Sequence, residues 1–250
     1  MLIFVGLCGM MNAVAYINAQ ANKGERMDYI IRQLQMVFVT EGRYQLIING
    51  LGTTILLSLM AAVIGVAIGS LMTYFKLSRL KLLNWIAGIY IDIIRGTPAY
   101  VQLIVIYFVI FGSININQVF IGSVAFGINS GAYVAEIIRA GILSIDKGQT
   151  EAGRSLGLSQ KQTMQFVVFP QAIKNILPAL ANEFIVLVKE TAVVGTIGVM
   201  DLTKSMTMIQ GRTYSMFPYI VLTIIYYLFI KVLTIGLNRF EKYMRRSDVR

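Results

Sequence analysis

Beyond residue 22, three long stretches of this chain carry no charged residue: Gln45–Phe75, Gly96–Ala135 and Thr213–Ile230. A bilayer core takes roughly 20 consecutive apolar residues per helix. Core helices of soluble proteins rarely run that far without a charge. The runs therefore predict an all-α integral membrane protein. The charge content agrees, since 14% of residues are charged against about 25% in soluble domains.

The runs divide into about five core transmembrane helices. The longest, Gly96–Ala135, exceeds one crossing at about 1.5 Å per helical residue. It breaks at the turn-prone Gly112–Gln118, which predicts spans near Thr97–Phe111 and Val119–Ile138. Further spans are expected at Ile47–Met72 and Tyr214–Leu237. A fifth, Ile176–Met200, is interrupted by Glu183, Lys189 and Glu190, and charges inside a span normally face a bundle interior or a watery cavity. Glycines in the first of these predict close helix approach. Residues 1–39 divide into an apolar lead, 1–22, and an amphipathic stretch, Asp28–Val39. The lead reads as an extra span in preference to a secretory signal, because it lacks a basic start.

Lysines and arginines orient the spans. With the C-terminus in the cytosol, fourteen lie inside and six outside, as the positive-inside rule requires. The net charge of +10 is thereby a matter of topology and lipid, with no nucleic acid partner implied. The chain has no histidine and a single cysteine. No Cys/His metal site, internal disulfide or histidine-based triad can form. A phosphate-binding G-x-x-x-x-G-K-[ST] loop is also missing. The chain thus offers no catalytic residue, metal or cofactor of its own.

The long polar loop at 141–175 lies in the cytosol on this topology. "EAGRSLG", Glu151–Gly157, concentrates small residues, and Ser159 is placed as a helix N-cap. The expected form is helix, glycine turn, helix, with Pro170 as the end. A short exposed helix with small residues can enter a groove on another protein.

Glu151-Ala152-Gly153, Gly157 and Val167–Pro170 resemble the E-A-A-x3-G-x9-I-x-L-P signature of membrane subunits of ATP-binding-cassette (ABC) importers. "RGTP" at Arg95–Pro98, the run Asn129–Gly157, Pro170–Thr191 and Thr196–Leu202 are similar to the polar amino acid permeases within that group. The resemblance covers about residues 40–245. Gly153 stands where the signature has its second alanine, and Phe169 where it has leucine.

The resemblance implies a type I ABC importer membrane domain at 40–245, with a basic cytosolic tail at 238–250. The implied partners are two ABC ATPase subunits, a second permease subunit, the same or similar, and an extracytoplasmic amino-acid-binding protein. The implied location is the cell membrane of a prokaryote, multi-pass. Glu151, Ala152, Gly153, Leu156 and Gly157 would form the coupling helix that enters the ATPase.

An amino acid crossing a membrane domain needs partners for its carboxylate and its ammonium. Asn129, Ser130 and Gly131, at an expected helix break, and Gln102 one helix away are candidates for the substrate pathway. So are Glu183, Lys189, Glu190 and Thr191. Glu183 either faces the ammonium or a cationic side chain, or pairs with a basic residue and ties two helices. Other classes remain open on the residues alone: a secondary transporter or channel using Glu136 and Glu183, a membrane-embedded enzyme, or an importer of another solute.

Overall fold

The computed structural model of the chain describes residues 23–245, all of whose regular structure is helical. The apolar lead 1–22 and the last five residues of the tail lie outside the described residues. In chain order the α-helices are α1 (Lys23–Phe38), α2 (Tyr44–Lys76), α3 (Lys81–Arg95), α4 (Ala99–Ile104), α5 (Gln118–Leu143), α6 (Lys147–Ser155), α7 (Gln160–Thr163), α8 (Phe169–Glu190), α9 (Leu202–Thr213) and α10 (Phe217–Arg245). Helices α2, α5 and α10 are long and apolar enough to cross a membrane. A fourth span results if α3 and the Ala99–Ile110 helix, bent by 105°, count as one.

The chain forms two compact units. One holds the described residues up to Ile55 and Ala192–Lys231. Its apolar core joins Val37, Ile47, Leu202, Met206, Ile209 and Val221. Asp201, fully buried, caps α9 by accepting from the Thr203 and Lys204 backbone N–H groups at 3.3 and 2.9 Å. Burial pushes its carboxyl up, against the pull of those donors. The expected amphipathic stretch Asp28–Val39 falls mostly on α1, which buries Gln33 and Val37 and leaves Met27, Ile31 and Leu34 exposed.

The other unit takes in Leu56–Thr191 and the chain from Val232. Its centre is α5, whose apolar window is 67% buried. Small residues let α2 lie against it: a Cβ on Gly69 would sit 2.6 Å from Val134 Cβ and 2.9 Å from the Ala135 nitrogen. The Thr73 hydroxyl donates to the Ala135 carbonyl at 2.9 Å across the same contact. Helix α8 packs along α5.

Three expectations are corrected. Helix α5 runs unbroken through Asn129–Gly131. The segment Ile176–Met200 is not one helix: α8 ends at Glu190 and Thr191–Ile197 is a tight 3-10 turn. Pro170 does not end a helix but sits in the first turn of α8. The residues before it, Met164–Val168, form a π-helical turn, in which Phe169 N–H reaches back five residues to Met164 O. Proline is tolerated in a first helical turn, where its missing N–H leaves no gap.

Candidate functional site

The polar groups predicted on α4, α5 and α8 divide into two sets. Gln102, at the start of α4, is almost fully buried. Its amide nitrogen donates to Ile94 O at 2.8 Å, Thr97 O at 3.1 Å and Thr97 Oγ1 at 2.7 Å. Its amide oxygen accepts from Asn129 Nδ2 at 2.9 Å. These bonds hold the joint between α3 and α4 at Gly96–Pro98. Pro98 is the N-cap of α4. Gln102 and Asn129 therefore spend these groups on the fold, although Asn129 Oδ1 is buried without a partner.

The second set is Ser130, Gly131 and Glu183. Ser130 Oγ donates to Glu183 Oε1 at 2.9 Å between α5 and α8. Glu183 is half-buried. Among the described residues no basic group lies within ion-pair reach of it. Among the described residues no hydrogen bond reaches its second oxygen. Gly131 lies one residue on, where a Cβ would meet Tyr90 Oη at 2.8 Å and Ile68 Cγ2 at 2.9 Å. Tyr90, which the sequence reading missed, donates to Ile128 O at 2.6 Å and closes this side of the cluster. Its place within the amphipathic Lys81–Arg95 was the only available signal.

Lys189 is exposed and Glu190 half-buried, and no hydrogen bond or ion pair joins either to Glu183. Thr191 is buried at the end of α8, donating to Val188 O at 2.8 Å, with Ser58 Oγ 3.2 Å away. Glu136 is engaged by Arg139 on its own helix.

The polar loop forms a hairpin of α6 and α7. Asp146 caps α6, accepting from Gly148 N at 2.7 Å. Gly157 lies at φ +85°, where a side chain is strained. Around it Leu158 N–H bonds Gly153 O and Gly157 N–H bonds Arg154 O, both in the helix-ending pattern that glycine favours. Ser159 caps α7 reciprocally with Gln162, as its spacing predicted. Glu151, Ala152 and Leu156 are exposed, Leu156 by 82%. Gly153 faces inward: a Cβ there would lie 2.8 Å from Cγ2 of the buried Thr163. The hairpin thus presents a carboxylate, a methyl and an isobutyl group outward, on a glycine-packed base.

Residues 65–246 match the family described as binding-protein-dependent transport system inner membrane component. The arginine transport system permease protein ArtQ of Bacillus subtilis (strain 168) is 38% identical over 205 residues, covering 81% of this chain and 94% of that protein. The glutamine transport system permease protein GlnP of Escherichia coli (strain K12) is 35% identical over 204 residues, covering 80% and 93%. A solved chain titled as an amino acid ABC transporter with histidines is 47% identical, with a TM-score of 0.76 over 80% of this chain and 94% of its own. A chain of the MetNI methionine ABC transporter in an inward-facing form shares the fold, with a TM-score of 0.71 at 20% identity.

Proposed function

The chain belongs to the binding-protein-dependent transport system inner membrane component family, and from that premise we propose that its two polar sites carry one amino acid importer cycle. The chain is the permease subunit of an ABC transporter and holds the translocation path for amino acids. An ATPase partner supplies the energy, and a substrate-binding protein delivers the cargo.

On this reading the exposed face of the α6–α7 hairpin, Glu151, Ala152 and Leu156, enters the ATPase. Gly153 and Gly157 shape the hairpin without touching the partner. The excess of basic residues on that side supports a cytosolic hairpin and C-terminus. Two ATPases act on a pair of permease subunits, this chain with a second copy or a similar one.

Glu183 is the cargo-facing carboxylate. The observation that carries this role is its half-buried position with Ser130 as a neutral partner and, among the described residues, no basic group in ion-pair reach. A carboxylate so placed lacks a counter-charge, and an ammonium or guanidinium supplies one on entering. Polar amino acids with a cationic group are therefore the favoured cargo. Ser130 orients the carboxylate, and Gly131 leaves room beside it.

Reconstitution with the cognate ATPase and binding protein, followed by uptake of an amino acid panel, tests the assignment. Glu183→Gln keeps the shape and removes the charge. Uptake of lysine and arginine should fall roughly tenfold or more relative to glutamine, as for one charge-assisted hydrogen bond. ATPase co-purification should survive. An equal loss for every substrate would assign Glu183 to helix packing instead.

A further inference from the structure

The unit built on α5 carries a concave feature beside the hairpin, distinct from the Glu183 cluster and from the exposed face of Glu151, Ala152 and Leu156. A groove of about 530 Å³ runs between the end of α2, the end of α5 and the start of α8. Thr73, Leu77, Ile138, Ile142 and Ile176 line it. Its volume is that of a site for a small organic ligand, roughly 300–1,000 Å³. Thr73 adds no free donor, because its hydroxyl already donates to the Gly69 and Ala135 carbonyls at 2.8 and 2.9 Å. Ser70 and Ser78 add two hydroxyls, and the rest of the lining is aliphatic, aromatic or thioether.

A second hollow adjoins it, and Met164 and Phe169 line both. This one has a different chemistry. Its remaining lining residues are Arg79, Gln160, Lys161 and Gln165. It holds two cations, two amides and no carboxylate. Arg79 and Gln160 are tied by a 3.3 Å hydrogen bond, which keeps the guanidinium at the rim. An apolar slot continuous with a cationic rim is complementary to one kind of molecule: an apolar chain bearing an anionic head.

We propose that this paired feature binds an anionic phospholipid, one acyl chain in the slot against Ile138, Ile142 and Ile176, and the phosphodiester at Arg79 and Lys161. Basic residues beside apolar helices recruit anionic headgroups in this way. Burial of the chain's methylenes adds the apolar part of the affinity. The placing of the rim in the cytosolic leaflet rests on the topology proposed above; the lipid chemistry does not. The slot is walled by α2, α5 and α8, so an occupant would touch the helix that carries Glu183 and the turn that follows the hairpin.

The test uses the detergent-solubilised complex of this chain with its ATPase, and native mass spectrometry. The probes are phosphatidylglycerol and phosphatidylcholine with identical oleoyl chains, and inorganic phosphate as competitor. The wild type should retain phosphatidylglycerol preferentially. Arg79→Gln with Lys161→Gln should reduce that preference roughly thirtyfold, as for two basic side chains at a lipid surface. Ile142→Trp, filling the slot, should weaken both lipids alike. Size-exclusion elution and ATPase retention separate these effects from misfolding. Lipid retention unchanged in the double variant overturns the proposal. So does displacement by millimolar phosphate, which marks a free-anion site. Loss of the ATPase from the double variant with lipid binding intact assigns the rim to a protein partner.

Discussion

At the scale of single residues, Gly153 is the position whose role changed most between sequence and structure. Its smallness suggested a place on the docking face. It is instead buried, with its Cα turned against Thr163. The family signature has alanine there, so alanine looks like a harmless replacement. The contact says otherwise: Thr163 is fully buried, and its Cγ2 cannot retreat at no cost. Gly153→Ala should lower the thermal midpoint of the complex, by roughly 1–3 kcal/mol of overpacking. Thr163→Ala deletes the opposing methyl and should restore most of it in the double variant. Additive losses in this cycle would show that the two side chains do not meet. Exposed Glu151 and Leu156 should behave in the opposite way, with Leu156→Asp leaving the midpoint in place and releasing the ATPase. Sequence motifs list which residue types recur together. They do not say which way a residue on a short helix turns, because that depends on what packs behind it.

At the scale of elements, the joint between α3 and α4 shows how much one side chain can hold. Two helices meeting at 105° leave the last carbonyls of the first without helical partners. Gln102 takes one of those carbonyls, that of Ile94, together with the Thr97 carbonyl and hydroxyl through one amide nitrogen, and ties the joint to α5 through its oxygen. Gln102→Leu should lower the thermal midpoint by an amount equivalent to about 2–3 kcal/mol, because buried acceptors lose their donor. Asn129→Leu should cost less, since only one bond is broken. If Gln102→Leu abolished uptake without moving the midpoint, Gln102 would belong to the substrate path after all. The joint itself was legible, as the Arg95–Pro98 stretch combines a glycine and a proline between two apolar runs. So were the four apolar helices, the capping serine and the glycine turn. The unbroken course of α5 was not. Asn129, Ser130 and Gly131 are weak helix formers, and the sequence alone marks them as a break. Tertiary contacts overrule that preference: Asn129 and Ser130 both bond neighbouring helices, and Gly131 lets Tyr90 approach.

At the scale of the whole molecule, the feature that reaches furthest is the wide turn at Met164–Val168. Backbone geometry stays helical from Gln160 through that turn to Glu190. At about 1.5 Å per residue this is a helical rod with a contour of about 45 Å, with the hairpin at one end, Pro178 within it and Glu183 in its second half. No residue pattern marks it, because Pro170 reads as a stop and a π turn has no composition of its own. A turn of this kind holds one residue more than the α-helix it interrupts. Adding one alanine after Phe166, an exposed residue within it, exceeds the one extra residue the turn already absorbs and should rotate everything beyond by about 100°. Both ends would keep their own contacts, but the Gln149–Gln171 hydrogen bond at 3.2 Å could not persist. The expected product is a complex that assembles and hydrolyses ATP while moving little cargo; normal uptake per ATP would mean that the rod transmits nothing. In mechanical language, and on the roles proposed for the hairpin and Glu183, the extra residue sets the timing between crank and valve.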